Sequence, residues 1–324
     1  NAELTKKERI MRMTRITAAL FSLLTTVAHA GDCQPSIWGI DDQRGATNRM
    51  TEESVIAAAQ LVQQGKTPPL GIVLKPGMPA YPPRSVQLQV VQPGQHFVTD
   101  TTTIYGWDAS SNDDLVQMWL GVGPQLDGLG HMGEAGMFYN CNAGKDIAPI
   151  TGLTKLDISK VPPMVARGVL IDMARHFGVA SMSAGQPITP DDLRAAMAEQ
   201  SVTINEGDVV LLHTGWTDAK LDTAPEEWGR TIPGITNAAA SYLASLKPMA
   251  VGADTWGVGA VPAIEGDKIF YDHVVFLKQN GIFILETMNT GRLARESVGE
   301  FMFVLGQARL QGAVQMIINP VAMW

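Results

Sequence analysis

Three apolar runs in the second half of this chain each close on a carboxylate. VARGVLIDM carries Asp172 near its end, MAVGADTW carries Asp254, and GIFILET carries Glu286. Apolar side chains fill both faces of these runs, which is the pattern of interior strands covered on two sides. An ionised carboxylate there is costly unless it is paired, hydrogen-bonded or bound to metal. For Asp172 and Asp254 the simpler expectation is an acid that caps a loop by accepting backbone N–H bonds.

Elsewhere the pattern alternates between helix and strand. Thr51 is placed as an N-cap, Glu52 and Glu53 suit a helix N-terminus, and Val55-Ile56 with Leu61-Val62 predict an apolar face ended by Gly65. Leu70–Leu74 and Val86–Val91 read as strands joined through the Pro-rich KPGMPAYPP. Residues 93–114 are polar and predict a long surface excursion, after which the short apolar run Leu115–Leu120 brings the chain back. Thr189-Pro190-Asp191-Asp192 starts a helix, GDVVLLHTGW is a strand, and Ala238–Leu246 forms a second helix. Asp272–Gln279 reads as a helix closed by Asn280-Gly281, with His273 in its first turn. FMFVLG and AVQMIINPVAMW complete the chain as two strand-like runs. No internal repeat or linker interrupts the series, so it predicts one α/β domain.

Between Leu120 and the later strands lies GVGPQLDGLGH, residues 121–131, where chemistry is concentrated. Gln125 and Asp127 are two positions apart and point to one side of an extended segment. Gly128 and Gly130 let the backbone bend so that His131 returns to that side. Oxygen and nitrogen donors converging in this way suit a divalent ion such as Zn²⁺ or Mn²⁺, although a solvated loop with one acid and one His is an alternative. His273 and Glu286 lie on a helix and the strand that follows it. They meet only if the helix start lies over the strand end.

The N-terminal thirty residues change the picture of the remainder. Lys6, Lys7, Arg9, Arg12 and Arg15 precede the apolar run Ile16–Val27, and Ala28-His29-Ala30 has the small-x-small form of a cleavage site. Residues 1–30 are thus expected to be a secretory leader with upstream residues, and 31–324 the mature domain, secreted or periplasmic. The apolar run is too short to span a membrane. Removing its five basic and two acidic residues takes the net charge from −8 to −11. That acidity argues against nucleic acid and anionic membrane surfaces as partners. Cys33 and Cys141 are the two cysteines, enough for one bond in an oxidising compartment but not for a disulfide scaffold.

Several chemistries are excluded by missing motifs. There is no Gly-x-Ser-x-Gly elbow, no GxGxxG opening a helix, no Walker A loop and no Cys-x-x-Cys. His96, in the polar excursion, and His176, after a strand, are expected to be structural or solvated. His213, at the end of its strand, is expected to be a satisfied buried His that could approach a site.

The chain resembles the metal-dependent cyclase family, which includes bacterial kynurenine formamidase, isatin hydrolase and related lactone hydrolases. The resemblance is carried by WGIDDQRGATNRMT, QLDGLGH, RGVLIDM, GDVVLLHTGW, GADTWGV and HVVFLKQNGIFILE in that order. The family's signature is His-x-Gly-Thr-His-x-Asp-x-Pro-x-His, whose first two His and Asp hold metal and whose last His moves protons. Asp127 and His131 match its Asp and final His. Gln125 stands at the second His, Gly121 at the first, and Pro124 and Leu129 replace Thr and Pro. His273 and Glu286 match two further metal ligands.

By resemblance the fold is a swivelling β/β/α arrangement around a central mixed sheet, assembled as a homo-oligomer. The activity implied is a metal-dependent hydrolase that opens an amide or ester bond (lactone, cyclic amide or aryl formamide) of a small molecule. Because Gly121 offers no ligand, a single Zn²⁺ or Mn²⁺ is expected on Asp127, His273 and Glu286, with Gln125 in support and His131 as proton carrier. Trp119, Tyr139, His213 and Trp256 are candidates to wall the substrate pocket. Alternatives are a lyase or cyclase of the same fold and a periplasmic binding protein without catalysis.

Overall fold

Burial on both faces decides which strands lie at the centre. The computed structural model describes residues 33–91, 106–107 and 112–324. The expected leader, His96 and most of the 93–114 excursion lie outside the described residues. Pro35–Trp324 form one unit, and among the described residues no helix is long and apolar enough to cross a membrane. Neither cysteine is free.

Helix α1 (Glu52–Ala59) begins as its sequence dictates. The Thr51 hydroxyl accepts from the Ser54 amide and the Ser54 hydroxyl accepts from the Thr51 amide. It ends six residues before Gly65, and after a short turn the amides of Gln64 and Lys66 donate to the Trp324 carbonyl. Its buried contact is Ala58, whereas Ile56 is exposed, so the expected apolar face is rotated. The next expected strand, Leu70–Leu74, does not form. Pro68 and Pro69 lack amide donors, and only isolated bridges from Pro69 and Gly71 remain.

Strands β1 (Val86–Val91) and β2 (Asp113–Met118) pair as an antiparallel ribbon. They are followed by β3 (Gln125–Asp127), β4 (Met164–Asp172), β5 (Pro187–Ile188), β6 (Val209–His213), β7 (Gly234–Ile235), β8 (Ala250–Ala253), β9 (Phe283–Glu286) and β10 (Glu300–Leu305). The C-terminal run, expected as one strand, is broken at Asn319-Pro320 into β11 (Gln315–Ile317) and β12 (Val321–Met323). Proline cannot donate to a ladder, and the two pieces lie on opposite edges of the main sheet.

That sheet has the order β11-β3-β9-β8-β6-β4-β10-β12. β4, β6, β8 and β9 run parallel, and antiparallel strands flank them on both sides. The expected α/β architecture with a central mixed sheet is therefore present. Every residue of β8 and β9 is buried, each large apolar side chain contributing about 1.5–3 kcal/mol by leaving water. Helices α2 (Pro190–Gln200) and α3 (Asn237–Ser245) pack on each other, and α2 also lies on β4. Helix α4 begins with Tyr271–His273 and continues as π-helical Val274–Gln279, which packs on β9.

Candidate metal centre

The site forms where β3 enters the sheet between β9 and β11. Gln125 lies directly opposite Glu286, and Gln315 directly opposite Asp127. The period of two along β3 therefore sends Gln125 and Asp127 to the face that Glu286 also occupies. Asp127 is fully buried, and Gln125 and Glu286 nearly so. The Gln125 amide nitrogen donates to Asp127 Oδ1 at 3.1 Å and to Glu286 Oε2 at 2.7 Å. Through this nitrogen Gln125 holds the two carboxylates, and its amide oxygen Oε1 is the atom that would support an ion. Gln315 adds a second donor to Asp127 Oδ1, at 2.6 Å.

His131 arrives through a turn in which its amide donates to the Gly128 carbonyl at 2.9 Å. The glycines before it are needed for close packing rather than for flexibility. A Cβ on Gly128 would stand 2.7 Å from the Val314 carbonyl, and one on Gly130 would stand 2.4 Å from Leu153 Cδ1. His273 lies at the start of α4, with its Nδ1 3.1 Å from Asp272 Oδ2. With Nδ1 donating to Asp272, Nε2 is the ring nitrogen turned to the site, and its lone pair is available there once the ring is neutral. The helix start does lie over the strand end, since His273 Nε2 is 3.1 Å from Glu286 Oε1 and 3.5 Å from Asp127 Oδ2.

One atom stands out. Asp127 Oδ2 is buried and has no hydrogen-bond partner. An orphaned carboxylate oxygen is costly in a dry interior, and the groups nearest to it are ring nitrogens. His131 Nε2 is 3.9 Å away, and one ligand atom each from Asp127, His131 and His273 lie within 4.8 Å of one another. Ligands bound at about 2.0–2.1 Å to one tetrahedral ion stand roughly 3.3 Å apart. The donor set and spacing thus fit a divalent ion, with His131 close enough to be read as a ligand or as a neighbour.

The electrostatics are those of a site built around positive charge. Burial would raise the Asp127 pKa, but the adjacent His131 and His273 rings outweigh it and hold the carboxyl well below its usual range. Burial and the Asp127 charge push Glu286 up to about 8, against the pull of His273 and Arg84. Burial, with His273 and Arg84, lowers His131 despite Asp127, which favours the neutral ring. Burial opposes protonation of His273, yet Asp272, Asp127 and Glu286 together raise it well above its ordinary value.

The four pocket candidates separate. Trp119 is half-exposed and, with His131, lines a cavity of about 660 Å³. Tyr139 is buried, with its hydroxyl 2.7 Å from both Ser36 and Asp42, so it ties the N-terminal loop down and does not wall the cavity. Trp256 packs with Trp216 and Trp228 in a satellite cluster, and Phe270 lies between it and His273. His213 is the satisfied buried His that was expected, with Nδ1 2.8 Å from the Thr290 hydroxyl. Asp172 accepts from the Arg175 amide, and Asp254 from the amide and hydroxyl of Thr214, as loop-capping acids should. Sequence reasoning missed Gln315, Asp272 and Arg84. Gln315 showed itself only as a polar residue inside an apolar run, and Asp272 only as an acid beside a candidate ligand.

Residues 69–260 match the sequence model of a family described as "Putative cyclase". No curated protein matches the chain in sequence. A solved structure of a novel cyclase is similar at 29% identity and TM-score 0.79, covering 89% of this chain and 98% of its own. Isatin hydrolase A from Ralstonia solanacearum is similar at 18% identity and TM-score 0.59, covering 84% and 97%. A "predicted metal-dependent hydrolase" from Bacillus stearothermophilus is similar at 20% identity and TM-score 0.52, covering 80% and 98%. The last two likenesses concern the fold.

Proposed function

The chain belongs to the cyclase family, and from that premise we propose that it is a metal-dependent hydrolase opening an amide or ester bond of a small acyl substrate. The observation that carries this reading is the unpartnered Asp127 Oδ2, with the ring nitrogens of His273 and His131 turned toward it. Asp127, His273 and Glu286 would hold Zn²⁺ or Mn²⁺. Such an ion, when bound, supplies a Lewis acid and brings the pKa of a bound water from ~15.7 to about 7.

The chain's own residues supply the rest. Asp272 fixes the His273 tautomer, while Gln125 and Gln315 keep the two carboxylates in place and leave Asp127 Oδ2 unencumbered. His131 lies at the boundary between the buried site and the cavity, its side chain 16% exposed. As a neutral imidazole it can take a proton from water and return it to the leaving nitrogen or oxygen. A lyase or cyclase reaction would use the same base without adding water to the product.

The test is elemental analysis of purified protein, together with a hydrolysis screen over lactones, cyclic imides, isatin-like lactams and aryl formamides. Stoichiometric transition metal and ring-opened or deacylated product with one added water are expected. Metal-free protein that turns over undiminished would overturn the reading, as would a product isomeric with its substrate.

A further inference from the structure

Position 121 has no side chain, and the space beside it is filled by others. A Cβ built on Gly121 would stand 2.7 Å from Arg84 Nη1 and 2.7 Å from the Gln315 side-chain amide. Arg84 reaches in to donate from Nη1 to the Gly121 carbonyl at 2.7 Å, which leaves the rest of its N–H fork for another acceptor. It lines the same cavity of about 660 Å³ as His131, Trp119, Gln117 and Gln315, and among the described residues no carboxylate lines it. Among the described residues Arg84 has no ion-pair partner. It is half-buried in a chain of net charge −8.

The charge of the site points the same way. Asp127 and Glu286 together balance a divalent ion, so Arg84 is left as an uncompensated positive charge facing the cavity. Its field already reaches both His131 and Glu286. Guanidinium groups hold carboxylates through paired N–H bonds, which fix orientation as well as charge. Trp119 and Met118, on the same wall, supply apolar surface for the body of a small ligand.

We propose that Arg84 is a substrate-binding residue that holds a carboxylate on the non-reacting part of the substrate. The enzyme's amide or ester substrate is then an anion before any bond is opened. The assignment to substrate rests on the hydrolase reading above, whereas the anion-binding role of Arg84 does not.

The experiment measures binding rather than turnover, using benzoate and its neutral isostere benzamide as probes on metal-replete protein whose metal content has been verified. Wild-type protein should bind benzoate at least about tenfold more tightly than benzamide, since charge-assisted pairs are roughly twice as strong as neutral ones. Arg84→Met should lose that preference with its metal content unchanged. Arg84→Gln, which keeps a donor for the Gly121 carbonyl, should lose it as well and guards against a variant that fails to fold. A benzoate preference that survives both substitutions would assign the anion to the metal and overturn the proposal, as would wild-type protein that binds the two probes equally. Protein that shows the Arg84-dependent preference yet hydrolyses nothing would overturn the hydrolase reading alone. Protein that hydrolyses substrates without the preference would overturn this proposal alone.

Discussion

Gln125 and Glu286 face each other across the β3–β9 pair, joined by an amide-to-carboxylate hydrogen bond of 2.7 Å. The same nitrogen also reaches Asp127, so one neutral side chain restrains both acids of the candidate metal site. Replacing it with the apolar Leu leaves two buried carboxylates short of a donor. Gln125→Leu should weaken metal affinity by about 10–100-fold, the usual effect of losing an outer-shell partner, without abolishing binding. Competition with a chelator measures this. Unchanged affinity would show that the contact is incidental.

Ligand and proton carrier can be separated by two substitutions. Asp127→Ala should lose both metal and activity, because it removes the orphaned oxygen and its charge. His131→Ala should keep the metal and lose about 10²–10⁴ in turnover, the range for a positioned general acid or base. Metal content measured beside rate decides the matter. Folded but metal-free His131→Ala protein would make His131 a ligand, a role its place among the three clustered donors permits.

Metal loading should depend on pH with a definite sign. Glu286 has its pKa raised to about 8 in the metal-free protein, chiefly by burial, so near neutrality a proton competes for it. Raising the pH removes that competitor. Apparent metal affinity should therefore climb as the pH rises from about 6 through about 8, with protons released on binding. Titrations across that range would refute this if affinity stayed flat or fell.

The space at Gly121 also bears on stoichiometry. With Arg84 and Gln315 packed where a side chain at 121 would stand, no ligand is available there for a second ion. Elemental analysis should return close to one transition metal per chain. Two tightly held ions would mean that the guanidinium is displaced.

The N-terminal pattern predicts cleavage after Ala30 in a secreting host. Sequencing of the exported protein should begin at Gly31, and soluble active protein that retained the leader would contradict this.

How much of this was legible depended on how local each signal is. The helix starts at Thr51 and Thr189 were legible because a capping box needs only a few adjacent residues. Asp127 and His131 were legible as a pair because four positions separate them. His273 and Glu286 were recognisable as one ligand set through resemblance, although the geometry that joins them depends on α4 lying over β9. Gln315 and Arg84 were invisible because nothing near them in sequence marks a partner across the sheet or across the ribbon. Tyr139 misled because its hydroxyl turns to Ser36 and Asp42 of the N-terminal loop and its ring is not among the residues that line the cavity. The Leu70–Leu74 strand failed because local apolarity was read without weighing the prolines before it.

The hydrogen bonds that finish the centre join parts of the chain that are made far apart in time. Glu286 meets Gln125 across 161 positions and Gln315 meets Asp127 across 188. Contacts of such separation require long stretches of chain to be brought together. On a ribosome, a chain that has just exposed Asp127 and His131 holds only half of its donors, and β11 follows almost everything else. The full set of donors therefore exists only once most of the chain has been made, which casts an ion held there as a seal on the fold rather than a template for it.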